Sequence, residues 1–533
     1  MVFTPPGVCS VSVTVGLAWV GGSLLVALIS ASALELAMRP RCIRPATGGL
    51  AGWLVRLGTH GVLFALVLAV LWRPGFAAGL VIALHIALWL VNNAKYRALQ
   101  EPFILHDFEY FTEAIRHPRL YLPFMGTGLA LAGLFALVVA IGAGLWWEPT
   151  LPGEWGLLVG LTGLIAGLSA VAVAAGLRRL PSAALAPEQD LAALGFWGMV
   201  WRYAGLLRQP LVLPDRKVPF APEGAVGAAP PAVHTGRRAP DLLLVQSESF
   251  FDPRPHFPVV APDVLAGFDR VREQASQSGR LAVPAWGANT VRTEASVLTG
   301  IAPPAYGVRR FNPYAAMARR AVPNLAGWLQ AQGYRTVCIH PYPASFYRRD
   351  RVFARMGFDH FIGVEAFSAP ERCGQYIGDA AVTERVEQWL AAPKTEPLFV
   401  FVITMENHGP LHLEQPAAED ASRFYREGVA PAHAADLTVY LKHLSNADRM
   451  LTRLADHLAT WRPEAVLGWY GDHVPIMADV YRHYGAPPGE TDYLIWSPGL
   501  NGDTNCRDIG VESLAPALVQ SLRSVEKGQN GSG

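Results

Sequence analysis

The chain has 533 residues, long enough for two or more domains. Its residues are 51% hydrophobic and only 16% charged, against about 25% charged in an ordinary soluble protein. Lys plus Arg number 44 and Asp plus Glu 43, a net charge of +1, so no electrostatic pull toward nucleic acid is expected. The averages conceal a split: apolar runs crowd residues 11–177, and most charge follows Arg178.

Five apolar stretches come first in chain order, over Val13 to Leu34, Leu57 to Trp72, Phe76 to Val91, Leu122 to Trp147 and Trp155 to Leu177. The first, fourth and fifth are long enough to cross about 30 Å of hydrocarbon as helices. The second and third are shorter and are joined by Arg73-Pro74-Gly75, which reads as a tight helical hairpin. Trp72, Trp146, Trp147 and Trp155 stand at the ends of stretches, where interfacial aromatics belong. The first stretch has no basic segment before it and more spans follow it, so it does not read as a cleaved signal peptide. Arg39, Arg41 and Arg44 follow the first stretch, Lys95, Arg97, Arg116 and Arg119 the third, and Arg178 and Arg179 the fifth. By the positive-inside rule these charges put the C-terminal half in the cytoplasm.

Leu191 to Leu207 is apolar with an embedded arginine and reads as an interfacial helix rather than a sixth span. A Pro-rich linker runs from Gln209 to Pro240. The pattern then changes. Short apolar runs at Leu242 to Gln246, Arg335 to Ile339, Leu398 to Thr404 and Ala465 to Trp469 read as strands buried on both faces. Helices are expected over Pro323 to Gln332, Ala380 to Leu390 and Ala435 to Trp461. This alternation predicts a C-terminal α/β domain with a mostly parallel sheet and helices on both faces. The expected organisation is a transmembrane helical domain over 1–180, an interfacial helix and linker over 181–240, a catalytic domain over 241–525 and a disordered tail over 526–533.

In such sheets the site lies beyond the carboxyl ends of the strands. Glu248 follows the first of these strands, His340 the second, Asn407 and His408 the third, Asp472 and His473 the fourth. Glu248, Asp472 and His473 form an O,O,N set suited to one divalent cation, Mn²⁺ or Zn²⁺ better than a soft thiolate metal. In Trp469-Tyr470-Gly471-Asp472-His473, the glycine is expected to let the chain turn sharply off the strand. Gly287 to Glu294 looks like a loop feeding a helix that ends near Gly300. There Thr290 has two readings: a helix cap, or a nucleophile helped by the helix dipole and by a metal. Arg349, in the basic and aromatic run His340 to Asp350, could bind phosphate oxygens or pair at the surface. His412, His433 and His443 have no partner pattern and read as solvated or structural. No Cys/His spacing marks a zinc finger; of the five cysteines, Cys9, Cys42, Cys338, Cys373 and Cys506, the pair Cys373 and Cys506 could bridge in an oxidising compartment, but free thiols are the expected state.

The ordered pieces LLLVQSESF, NTVRTEASVLTG, HPYPASFYRRDRVFARMGFDHF, FVITMENHGP and WYGDH resemble the lipoteichoic acid synthase and phosphoglycerol transferase group, within the sulfatase and alkaline phosphatase superfamily. The resemblance covers Asp241 to Leu522 and extends to KYRALQEPFILHDF between the third and fourth stretches. It implies that Glu248, Thr290, Asp472 and His473 hold one divalent metal, Mn²⁺ first and Zn²⁺ or Mg²⁺ next, with Thr290 as nucleophile. It implies that His340, Tyr347, Arg349 and His408 bind the substrate headgroup and phosphate, Tyr347 standing where lipoteichoic acid synthases carry Trp. Arylsulfatases need Cys or Ser in a C/S-x-P-x-R context, and Thr290-Val291-Arg292 departs from it, so sulfate ester hydrolysis is not expected.

The reaction the resemblance implies moves phosphoglycerol from a membrane phospholipid, phosphatidylglycerol, through a covalent Thr290 intermediate to a glycan or glycolipid. It places the catalytic domain outside the cytoplasmic membrane, against the charge count above. The alternatives are a phosphoethanolamine transferase acting on lipid A or another envelope glycan, and a non-catalytic membrane scaffold or sensor.

Overall fold

The structure, a computed structural model, describes residues 13–40, 48–116, 135, 138, 139, 141, 142, 144–151, 155–213, 239–417, 419–498, 500 and 505–531. They form two units, Met1–Pro210 and Leu211–Gly533.

In the first unit four helices are long and apolar enough to cross a membrane: α1 (Val13–Leu36), α2 (Gly49–Leu71), α3 (Pro74–Leu99) and α5 (Trp155–Arg179). A short helix, α4 (Asp107–Arg116), lies between α3 and α5. The fourth expected stretch, Leu122 to Trp147, lies largely outside the described residues. The second and third stretches extend well past their apolar runs, to 23 and 26 residues. Pro74 fits the first turn of α3, where its missing N–H is no loss. Glu148 accepts from the free amides of Gly75 and Phe76 there.

Helices α2 and α5 approach closely at small residues. A Cβ on Gly58 would lie 2.6 Å from the Ser169 carbonyl oxygen, and one on Gly176 2.7 Å from that of Ala51. Within this apolar bundle Glu35 and Arg56 form a buried ion pair at 3.0 Å.

The expected interfacial helix is two helices, α6 (Pro187–Leu194) and α7 (Phe196–Leu207), broken at Gly195 with φ 73°. Its aromatic side is turned to protein. Phe196, Met199 and Tyr203 are fully buried. Trp197 donates to His85, Trp201 to Thr59, and the Phe196 amide to Glu35. Partners on α1, α2 and α3 therefore hold α7, a contact the sequence pattern did not disclose.

The second unit is built on a nine-stranded sheet. Its strands are β1 (Leu242–Ser247), β2 (Gln277–Ala282), β3 (Arg335–Ile339), β4 (His360–Ile362), β5 (Leu398–Ile403), β6 (Val466–Gly471), β7 (Thr491–Trp496), β8 (Asn505–Cys506) and β9 (Ile509–Gly510). The order is β8-β2-β7-β6-β1-β5-β3-β4, with β9 also on β2. The central pairs β6-β1, β1-β5, β5-β3 and β3-β4 are parallel, and β7 runs antiparallel to both its neighbours. Side chains alternate between two cores. Leu243, Val245, Val400, Val402, Leu467 and Trp469 enter one. Leu242, Leu244, Phe399, Phe401, Val466 and Tyr470 enter the other. This is why the strands read as continuous apolar runs rather than alternating ones.

Helices α8 (Thr290–Thr299), α9 (Asp379–Ala391), α10 (Ala435–Trp461) and α11 (Leu514–Gly531) flank the sheet. The expected disordered tail from 526 is instead helical to Gly531, an extension of α11, which packs Leu518, Leu522 and Val525 into the second core.

Candidate active site

Register brings the ends of the central strands level. Ser247 pairs with Gly471, Gln246 with Ile403, and Ile339 with Val402. The residues that follow therefore leave the sheet along one edge: Asp472 and His473 from β6, Glu248 from β1, Asn407 and His408 from β5, His340 from β3.

Glu248, Asp472 and His473 converge, with one ligand atom from each lying within 4.8 Å of the others, all buried. His473 Nε2 is 3.6 Å from Glu248 Oε1 and 3.3 Å from Asp472 Oδ2. Ser249, at φ 55°, holds the group together: its amide donates to Asp472 Oδ1 and its hydroxyl to Glu248 Oε1. Burial, then the adjacent Asp472 carboxylate, pushes the Glu248 carboxyl up to about 8. Asp472 Oδ2 is buried without a hydrogen-bond partner. Two buried carboxylates, an imidazole and an orphaned oxygen fit a divalent cation, which would satisfy what the protein leaves open.

Gly471 serves this corner for a reason other than the expected turn. Its φ is not positive. A Cβ there would lie 1.8 Å from the Phe250 carbonyl oxygen, so only glycine lets the β1 and β6 ends approach.

Thr290 is the first residue of α8, buried, with Asn289 before it at φ 68°. Asn289 makes no side-chain cap hydrogen bond, so the capping role is not used there. Thr293, one turn on, donates its hydroxyl to the Asp472 carbonyl at 2.8 Å. Positions three apart share a helix face, so Thr290 lies on the face of α8 anchored to the cluster.

Glu294, on the next position of α8, takes two bonds from Arg349, at 3.1 Å from Nε and 2.8 Å from Nη2. Gln246 and Tyr314 also donate to it. Arg349 is 2% exposed, so the expected surface pairing is a deeply buried one. Its Nη1 faces His340 Nε2 at 3.3 Å, while His340 Nδ1 lies 3.2 Å from the Ile403 carbonyl. A carbonyl only accepts, so His340 carries its proton on Nδ1 and accepts from Arg349. Burial, then Arg349, holds this imidazole well below its ordinary range and neutral.

Tyr347, at φ 55°, sets its ring 5.3 Å from the Arg349 guanidinium carbon. His408 donates from Nδ1 to the Gly409 carbonyl at 2.7 Å, which leaves Nε2 as an acceptor, and burial keeps this ring neutral.

A second cluster lies on the other side of the β5 end. His443, on α10, contacts Glu406 Oε1 from Nδ1 at 2.8 Å and Glu414 Oε2 from Nε2 at 3.0 Å. Asn446 and the Asp379 amide also donate to Glu406. Burial opposes charge on His443, but Cys373, Glu406 and Glu414 outweigh it and raise the imidazole to about 11. Of the three histidines without a sequence pattern, His412 is exposed, His433 lies tilted against His483 with ring centroids 3.6 Å apart, and His443 is buried between two carboxylates. The carboxylate in Met405-Glu406-Asn407-His408 was the available signal, since a buried acid beside a candidate site needs a partner. Cys338, Cys373 and Cys506 are free thiols, as expected.

A doubly covered, mostly parallel sheet with a cation-type donor set at its carboxyl edge defines an α/β enzyme scaffold. The chain belongs to the sulfatase family, whose profile matches residues 240–523. It is 28% identical over 467 residues to the capsular polysaccharide biosynthesis protein RkpI of Rhizobium meliloti (strain 1021), covering 83% of this chain and 81% of that protein. It is 31% identical over 264 residues to a putative cyclic beta-1,2-glucan modification protein of the same strain, covering 49% of this chain and 40% of that one. Among solved structures it is similar to the phosphoglycerol transferase GacH of Streptococcus pyogenes in complex with sn-glycerol-1-phosphate. That likeness has 22% identity and a TM-score of 0.44, and covers 54% of this chain and 79% of that one.

Proposed function

We propose that this protein is a membrane-bound phosphotransferase that moves a phosphoglycerol group from phosphatidylglycerol to an envelope glycan or glycolipid. Glu248, Asp472, His473 and Thr290 would hold one divalent cation, Mn²⁺ first. Bound there, it would lower the pKa of the threonine hydroxyl and offset charge on the phosphate.

The observation that carries the reading is the convergence of the three ligands with the anchored start of α8. Thr290 Oγ forms a bond to phosphorus, and the bond from phosphorus to the diacylglycerol oxygen breaks. The threonine proton is given up, and the departing oxygen gains one. An acceptor hydroxyl then repeats the exchange and restores the threonine. Arg349 still has N–H groups beyond those on Glu294 and His340 for phosphate oxygens. His340, neutral and bonded at both ring nitrogens, holds Arg349 in place, and neutral His408 leaves Nε2 as an acceptor for a headgroup hydroxyl.

The ordered motifs from Asp241 to Leu522 support the phosphoglycerol branch. The names of the two Rhizobium meliloti relatives support a glycan acceptor. The four long apolar helices support a reaction at lipid headgroups, and the family resemblance, against the charge count, favours a catalytic unit outside the cytoplasmic membrane. In domain terms the membrane part comprises residues 1–180 and the catalytic part begins at 241.

Mass spectrometry of Thr290 after incubation with phosphatidylglycerol membranes tests the reading. An adduct of phosphoglycerol mass is expected. An adduct of phosphoethanolamine mass would move the donor to that lipid class, and undiminished turnover by Thr290→Ala would sink the nucleophile assignment.

A further inference from the structure

Asn407 stands four residues past the end of β5, between Glu406 and His408. Its side chain is 4% exposed, and neither its amide nitrogen nor its amide oxygen has a hydrogen-bond partner. Native proteins satisfy nearly all such groups, and burying an amide without partners costs on the order of 2 kcal/mol or more. The loop cannot easily swing to relieve it. On one side Glu406 is held by His443, Asn446 and the Asp379 amide. On the other, His408 is hydrogen-bonded to Gly409 and packs against Tyr376 at 5.3 Å. At the base, Thr404 accepts from the Glu248 amide, tying the β5 end to the cation cluster. Asp472 Oδ2, at the same sheet edge, is likewise buried without a hydrogen bond, its one near polar neighbour being His473 Nε2 at 3.3 Å.

The chemistry of the two open atoms narrows what completes them. An amide presents donors on nitrogen and an acceptor on oxygen. Phosphate oxygens only accept and an ammonium only donates, so each would satisfy one end alone. A hydroxyl group donates and accepts, and a vicinal diol can meet both ends at once. We infer that Asn407 binds the hydroxyls of the group being transferred, and so selects a glycerol headgroup over an amine headgroup. The choice of glycerol among polyols rests on the reaction proposed above.

The test is calorimetric binding to the full chain in detergent micelles with Mn²⁺, using glycerol phosphate and n-propyl phosphate, which has the same carbon chain and no free hydroxyl. The natural chain is expected to prefer glycerol phosphate by about tenfold or more. In Asn407→Leu the ratio between the two ligands should collapse toward one. Asn407→Asp, which keeps the acceptor and loses the donor, should fall between, and it carries the test should the leucine variant fail to fold. No preference in the natural chain, or a preference that survives in both variants, would overturn the inference, as would equal weakening toward both ligands. Turnover of phosphatidylglycerol is read separately. Glycerol phosphate binding through Asn407 without that turnover would keep this inference and remove the proposed donor.

Discussion

Replacing His443 by leucine removes the cation shared by two carboxylates and leaves most of the packing volume in place. In the native fold its ring nitrogens lie 2.8 and 3.0 Å from Glu406 and Glu414, with the histidine side chain 2% exposed and the two acids 1% and 13%. Breaking a buried pair by removing one partner costs about 3–5 kcal/mol. Glu414 is discounted because it is partly exposed and retains Lys442, and Glu406 retains Asn446 and the Asp379 amide. The lower part of the range, about 3–4 kcal/mol, is therefore expected. That corresponds to a fall in Tm of roughly 5–7 °C, at about 2.1 cal/mol/K of unfolding entropy per residue.

The effect has a definite pH signature. His443 is raised from 6.5 to about 11, so its contribution is complete below 6.5 and is lost as pH rises toward 11. Glu414 is lowered from 4.5 to about 2, chiefly by its bond to His443, so its share is complete above 4.5 and is lost as pH falls toward 2. The stability gap between the natural chain and His443→Leu should therefore narrow between pH 7 and 9. Thermal unfolding in detergent, followed by tryptophan fluorescence, measures it. A gap that stays constant or widens over that range would refute the buried imidazolium. Adding Glu406→Gln to the leucine variant should recover part of the loss, because an amide needs no counter-charge.

Three further outcomes are expected. Thr290→Ala should reduce headgroup transfer by roughly 10³-fold or more while moving stability by less than about 1 kcal/mol, checked by lipid turnover and melting together. Asp472→Asn should weaken Mn²⁺ binding by roughly 100-fold or more, since losing only a hydrogen-bond partner of a metal ligand already costs about 10–100-fold; titration with metal content read by mass spectrometry checks it. Gly471→Ala forces the β6 end away from the Phe250 carbonyl, 1.8 Å from the added carbon. It should cost about 2 kcal/mol or more, seen as a lower Tm with weakened metal binding.

Much of the α/β unit was legible because its central strands are buried on both faces. LLLVQS, LFVFVI and VLGWYG are continuous apolar runs bounded by helices, and parallel strands of that kind end together. The expected strands do not include β2, β4, β7, β8 or β9. β2 has a mixed, partly exposed pattern, and Gly279 within it admits the Arg507 carbonyl closely, so its pairing depends on a distant segment. The need for glycine at 471 is not legible locally, because the steric approach of the Phe250 carbonyl leaves no mark near residue 471 in the sequence.

By itself the sequence determined the apolar helices, the alternation that makes the sheet, and the residue types delivered to its edge, because each follows from local composition and period. Only the tertiary structure decided which of those residues meet. Glu294 and Arg349 are 55 positions apart, Glu406 and His443 37, and Ser249 and Asp472 223. Such pairings are set by strand order and close packing, which a linear pattern does not encode. The same holds for Asn407, whose open amide is evident only once every neighbouring donor and acceptor has been assigned.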